Sequence, residues 1–196
     1  MPTNRQIMLC FVRSDSTVLQ ESWLNTAASY FAPRAPRTGA PYIHVEILFV
    51  PKNNALRNSA EVYGDACSIV YGGAVHMTKK RFSRKEWEFR SMDCTEKQYK
   101  AMKNFCNEHV GESFNHLGYF MYWAGIFAPK PMFYTYFGMS PRWFCSEIVI
   151  GALKAGGVLE PNFPNAEHPD RLYHHIKGQS MVDCGRNMKE IRLQFV

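Results

Sequence analysis

The sequence predicts an α+β fold, a small antiparallel sheet with helices packed on it. Three observations carry that reading. Short apolar or alternating segments recur between polar, glycine-bearing turns, over residues 7–12, 42–50, 60–63, 67–71 and 75–82. Two later segments, 95–110 and 145–155, place apolar residues at three- and four-residue spacing and stop at glycine. The 196 residues are 46% hydrophobic and 20% charged, a composition that builds a core without crosslinks or metal.

Taken in order, Ile7 to Val12 is a continuous apolar run with β-branched and aromatic members, and so a buried strand. Ser14, Asp15 and Ser16 offer N-caps to a helix whose apolar positions are Val18, Leu19, Trp23, Leu24, Ala27 and Phe31. Three prolines and a glycine make 32–41 a loop. From Tyr42 to Val50 a strand resumes, expected to place Tyr42, His44, Glu46 and Leu48 on one face and Ile43, Val45, Ile47 and Phe49 on the other. Polar residues follow from Lys52 to Ser59. Gly64-Asp65 is expected to separate two short strands, and Gly72-Gly73 to precede a third, completing a meander.

Thr95 is a helix N-cap, with Tyr99, Met102, Phe105, Cys106 and Val110 on one face and Gly111 as the stop. Cys145 to Ala155 reads as an apolar helix ended by Gly156-Gly157. A short helix around Arg171 to Ile176 and a last strand at Ile191 to Val196 complete the chain. The expected organisation is a single domain over 1–196, with a core of about 6–178 and a tail of 179–196.

Composition also excludes function classes. No apolar run reaches the 18 residues of a spanning helix. Met1 to Arg5 lead straight into the first strand, without the small-residue cleavage site of a secretory signal. Six scattered cysteines without a C-x-x-C read as reduced thiols of an intracellular, cytoplasmic protein. No cysteine lies near His168, His174 and His175, so no metal and no cofactor is expected. Phosphate-cradling glycine motifs are missing. The net charge of +6 is mild. Its densest run, Lys79-Lys80-Arg81 with Arg84-Lys85, reads as a solvated loop, and no specific nucleic-acid partner is expected.

The residues that invite chemistry begin with Cys145, in Trp143-Phe144-Cys145-Ser146-Glu147. Free N–H groups and the positive end of the dipole stabilise a thiolate at a helix start, and a lowered thiol pKa is what a nucleophile needs near neutral pH. The plain alternative is a buried small hydrophobe. As a base, His44 is the best candidate, on the polar face of a strand that would hold its orientation. A third group should fix its tautomer. Glu46 shares its face but sits about 6–7 Å along the strand, while Glu61 and Ser68 lie on neighbouring segments whose register the sequence does not fix. Of these, Glu61 is narrowly preferred. His76, His109 and His116 read as surface residues.

His44-Val45-Glu46-Ile47, Ala60-Glu61-Val62, Val110-Gly111-Glu112-Ser113-Phe114-Asn115 and Trp143-Phe144-Cys145-Ser146-Glu147 together resemble the circularly permuted papain-like proteins of the NlpC superfamily. In that group the histidine precedes the cysteine. Cys145-Ser146-Glu147 with Ile148 to Leu153 looks like the family's nucleophile helix, and His168-Pro169-Asp170-Arg171-Leu172-Tyr173 like its trailing Pro-x-x-Leu-Tyr segment. The resemblance spans roughly 6–178. It implies a permuted papain-like fold, Cys145 as nucleophile, His44 as general base and Glu61 as the nearest match to the orienting residue. The stretch from Pro51 to Ser59 departs from it, being longer than the expected turn. The backbone N–H of Cys145, at its helix start, is the expected oxyanion donor.

Members of such a family cleave amides, hydrolyse esters or thioesters, or transfer acyl groups through an acyl-cysteine. Three readings follow. One is a cysteine amidase or peptidase acting on peptide or amide substrates. The second is an acyl-lipid hydrolase or acyltransferase like the lecithin:retinol acyltransferase group. The third is a non-enzymatic subunit on the same scaffold, including a virion component, since the family includes proteins of large DNA viruses. Residues 114–144 hold 12 of the 28 aromatics, which singles this segment out. It reads first as core beside the nucleophile helix. An acyl-chain pocket, a membrane interface or a protein-partner surface over 117–144 are the other readings.

Overall fold

The computed structural model describes residues 5–16, 41–51, 60–123 and 131–178. The helix expected over 18–31 and the strand expected over 191–196 lie outside these residues. Within them the protein is α+β, with five antiparallel strands: β1 (Arg5–Arg13), β2 (Tyr42–Val50), β3 (Glu61–Ser68), β4 (His76–Ser83) and β5 (Glu88–Cys94). Their order is β4-β3-β2-β1-β5. The first four strands form the expected meander in reverse, and β5 returns to pair with β1 on its other side. Strand β1 is therefore an interior strand, paired on both sides, which fits its unbroken apolar run, buried on both faces.

One face of the sheet carries Ile7, Leu9, Phe11, Val45, Ile47 and Phe49. Packed on it are α1 (Glu96–Glu108), α3 (Cys145–Ala155) and α4 (Pro169–Gly178). The other face gathers Met8, Cys10, Val12, Leu48, Val50, Val62 and Ala66 with Phe82 and Trp87. Helix α1 starts on a capping box, with Thr95 Oγ1 accepting the Gln98 N–H and Gln98 Oε1 accepting the Thr95 N–H at 3.0 Å. Gly151 lets α1 lie close to α3, because a Cβ there would collide with the Phe105 ring.

Two corrections bear on the site. Residues 60–71 do not hold two strands. Strand β3 runs through Gly64, where a Cβ would collide with the carbonyl oxygen of Phe49, so the glycine permits close approach instead of breaking the strand. The alternation expected for 42–50 also slips once. Val12 pairs with His44 but Arg13 pairs with Tyr42, leaving Ile43 as the extra residue of a β-bulge. Tyr42 consequently joins the helix-facing cluster of Val45 and Ile47, not the face of His44.

Helix α4 braces this bulge. Asp170 Oδ1 accepts the Tyr42 N–H at 3.2 Å, and the Tyr173 ring sits 4.0 Å from that of Tyr42 and 5.1 Å from that of Phe11. Past α1 the chain enters β6 (Ser113–Phe114), α2 (His116–Trp123) and a 3-10 helix over Pro131–Phe137. It returns in β7 (Arg142–Trp143), parallel to β6, directly before α3.

Candidate active site

His44 is the first residue past the bulge and is buried, as are Glu46 and Ser68. Its Nε2 lies 3.2 Å from Glu46 Oε1 and 3.3 Å from Ser68 Oγ. The β2–β3 ladder pairs Ile47 with Cys67, so its next step sets Ser68 across from Glu46 and within reach of both side chains. Glu46 also touches His44 directly, because two side chains leaning toward each other span their two-residue separation. The Trp87 ring meets the imidazole edge-on, with centroids 6.2 Å apart.

Glu61, the orienting residue preferred from sequence, is not in this cluster. It pairs with Ser83 at the far end of β3, is exposed, and lies 3.9 Å from Arg81. The ladder register carries Glu61 past Val50, the last residue of β2, while His44 stands at the opposite end.

The buried carboxylate of Glu46 has a cation. Lys80 Nζ lies 2.6 Å from its Oε1. Lys80 pairs with Gly64 across β3–β4, and the same face of β3 between them carries Gly64, Ala66 and Ser68, side chains small enough to let the lysine cross toward β2. Its ammonium also rests over the rings of Phe82 and Trp87, 4.9 and 5.0 Å from their centroids. The run Lys79-Lys80-Arg81 is thus a strand and not a loop. Lys79 and Arg81 point to solvent while Lys80 turns inward.

Cys145 opens α3 after an extended Phe144 (φ −94, ψ 161) and is half-buried, whereas the other described cysteines are fully buried. Its thiol hydrogen-bonds the His44 ring. With Nε2 engaged by Glu46 and Ser68, Nδ1 is the nitrogen left for the sulfur. Burial pushes the Cys145 thiol up, but the His44 charge and hydrogen bond, with backbone N–H groups of Val45 and Ser146, bring it below the ordinary value. Burial pushes His44 down, and the Cys145 charge together with Glu46 overrides this, raising it to about 9. Burial raises Glu46, yet His44 and Lys80 hold it below the usual carboxylate range. Cys10 and Cys106 both move the opposite way from Cys145, well above a free thiol. The resting proton therefore shifts from sulfur toward imidazole.

The approach to Cys145 is fixed on both sides. Trp143 Nε1 donates to Glu112, which also sits 2.8 Å from His109 Nδ1, and the Trp143 and His109 rings lie 4.7 Å apart. His109 is thus a half-buried clamp on β7 and not a plain surface residue. Glu147, buried in the first turn of α3, accepts the Phe144 N–H at 2.9 Å. Burial lifts its carboxyl to about 8, against the pull of that N–H and with a further push from Cys145. It is therefore neutral near pH 7 and does not repel the thiolate. Sequence reasoning singles out His44 and Cys145, which the structure brings together, but not Lys80 and Glu147, whose placement depends on register and burial. Among the described residues no group of three His, Cys, Asp or Glu side chains is set to hold a metal, and no helix is long and apolar enough to cross a membrane. Compared with protein-family models, curated proteins and solved structures, the chain finds no match.

Proposed function

We propose that the protein is a cysteine-dependent acyl hydrolase built on a permuted papain-like fold, with Cys145 as nucleophile, His44 as base and Glu46, not Glu61, as the orienting carboxylate. The observation that carries this reading is the continuous chain from Lys80 through Glu46 and His44 to a half-buried thiol at a helix start. Four residues from two strands and a helix converge in one line, and each holds the protonation state the next one needs.

In this scheme the Cys145 thiolate attacks the carbonyl carbon of an amide, ester or thioester. The backbone N–H of Cys145, free of an intrahelical acceptor at its first-turn position, faces the developing oxyanion. The C–X bond breaks as imidazolium passes its proton to the leaving group, leaving an acyl-cysteine. Neutral His44 then takes a proton from water as it attacks the thioester, and returns that proton to the departing thiolate. Glu46 stays ionised throughout and keeps Nε2–H directed, so Nδ1 is the nitrogen that cycles.

The test is to incubate the protein with nitrophenyl esters of short and long acyl chains and weigh the intact chain and its peptides. An acyl mass on Cys145 that His44→Ala abolishes and Ser68→Ala leaves in place supports the reading. Acylation at other cysteines in preference to Cys145, or none at Cys145 with any ester, overturns it and leaves the non-enzymatic scaffold.

A further inference from the structure

The segment between β6 and β7 is not simply core. Phe114, Tyr134 and Trp143 are buried, but Leu117, Phe120, Phe133, Tyr136, Phe137 and Met139 face solvent. Of the nine large hydrophobic residues exposed among the described residues, six fall in this one segment. The exposure is heavy at its tip, 86% for Tyr136, 65% for Phe137 and 58% for Phe120. Monomeric surfaces rarely gather apolar side chains this way without something to cover them.

The patch is tied to the fold from within. Asn115 Oδ1 accepts both the Gly118 N–H, at 2.8 Å, and the Tyr134 hydroxyl, so the 3-10 helix is tied to the start of α2 by its inward residue. Its outward residues Phe133 and Phe137 contact each other, with ring centroids 5.3 Å apart. Both ends of the excursion lie in the β6–β7 pair, and β7 leads directly into Cys145.

Charge selects the occupant. From Ser113 to Ser146 the sequence contains no Asp or Glu, and its only charged residues are Lys130 and Arg142. Arg142 lies over the Tyr134 ring, 5.2 Å from its centroid. A second copy of the segment would offer Arg142 no acidic partner. An anionic lipid surface satisfies both halves of the patch, since aromatic and aliphatic side chains enter the acyl boundary while Arg142 meets headgroups. We infer that the face formed by Leu117, Phe120, Phe133, Tyr136 and Phe137 docks on an anionic lipid surface, presenting Cys145 to acyl groups held there. The docking stands on the surface itself. That the docked substrate is a lipid acyl group rests on the thiol-hydrolase reading above.

The test is flotation of the full chain with vesicles of phosphatidylcholine, with and without phosphatidylserine. The wild type and Cys145→Ala are expected to float with the phosphatidylserine vesicles and much less with phosphatidylcholine alone. Tyr136→Glu and Phe137→Glu, at exposed positions, are each expected to weaken binding about tenfold or more, with Cys145 alkylation by iodoacetamide unchanged. No flotation, equal flotation with both vesicles, flotation unaffected by the two variants, or a patch-dependent dimer in sedimentation overturns the docking. Docking of wild type without acyl transfer to Cys145 from a vesicle-borne fatty-acyl nitrophenyl ester overturns the lipid substrate alone. Failure of soluble esters as well would strike the hydrolase reading and leave the docking intact.

Discussion

Lys80 Nζ lies 2.6 Å from Glu46 Oε1, and the same oxygen lies 3.2 Å from His44 Nε2. One carboxylate oxygen thus bridges an ammonium on β4, which reaches it across the face of β3, and the imidazole of His44 on its own strand β2. Glu46 is almost wholly buried, so its charge depends on these two partners.

Lys80→Met removes one of them. Glu46 ionises more easily in the folded chain than in the unfolded one, so its contribution to stability is present above the unfolded pKa and is lost as pH falls through the folded value. Removing the lysine raises the folded value and moves that loss toward neutral pH. Lys80 is about a third exposed, which screens the pair, so the expected cost is about 1 kcal/mol at pH 7 and smaller at pH 4, where Glu46 takes up its proton and the pair is lost in both proteins. Urea unfolding at both pH values measures it, and an equal cost at the two would contradict this role.

Glu46 and Glu61 should separate cleanly. Glu46→Gln, keeping the shape while losing the charge, is expected to slow acylation of Cys145 about ten- to a hundredfold and to lower the pKa of His44. Glu61→Ala, at an exposed strand end, should stay within about 0.5 kcal/mol of wild type and leave acylation unchanged. Acyl-cysteine formation followed by mass spectrometry compares them. Sensitivity at Glu61 with tolerance at Glu46 would reverse the assignment.

Glu147 gives a pH signature of opposite sign. Its folded pKa, about 8, lies above the ordinary carboxyl value. Whatever stability its protonation carries is complete below the unfolded pKa of about 4.3 and is lost as pH rises through the folded value. Glu147→Gln retains an acceptor for the Phe144 N–H and cannot ionise. The variant should match wild type near pH 4.5 and exceed it by about 2–4 kcal/mol at pH 9. Thermal unfolding across that range is the check, and parallel pH profiles would show that Glu147 is not held neutral.

Gly64→Ala tests the sheet that brings the site together. The new Cβ meets the Phe49 carbonyl and forces β2 and β3 apart, at an expected cost of about 1–3 kcal/mol. Because Ser68 is carried by β3 and His44 by β2, the substitution should also lower Cys145 reactivity, although it lies far from the thiol. Denaturant unfolding and alkylation rate, measured together, report both effects.

Much of this was legible in the chain. The apolar run at β1, the capping residue Thr95 and the glycine-ended helix at Cys145 are local signals, and each forms where its residues predict. The places of His44 on a strand face and of Cys145 at a helix start are legible in the same local way. What escaped depends on pairing. Strand β5 escaped because it lies on the sheet edge with only Met92 and Cys94 buried, too faint an alternation to separate from a loop. The bulge at Ile43 is a mismatch between two strands and is invisible in either one. The sequence favours Glu61 over Glu46 because the β2–β3 register cannot be read from composition. Lys80 looked solvated amid a basic run until β4 turned alternate residues inward.

The proposed chemistry rests on a thiolate–imidazolium pair between Cys145 and His44. Its most direct test is the pH dependence of Cys145 alkylation by iodoacetamide, resolved by mass spectrometry, in wild type and His44→Ala. The wild-type midpoint is expected well below the ~8.5 of a free thiol, moving to or above that value in the variant, where burial is no longer opposed by a cation. A Cys145 midpoint at the free-thiol value, or one indifferent to the loss of His44, would contradict it.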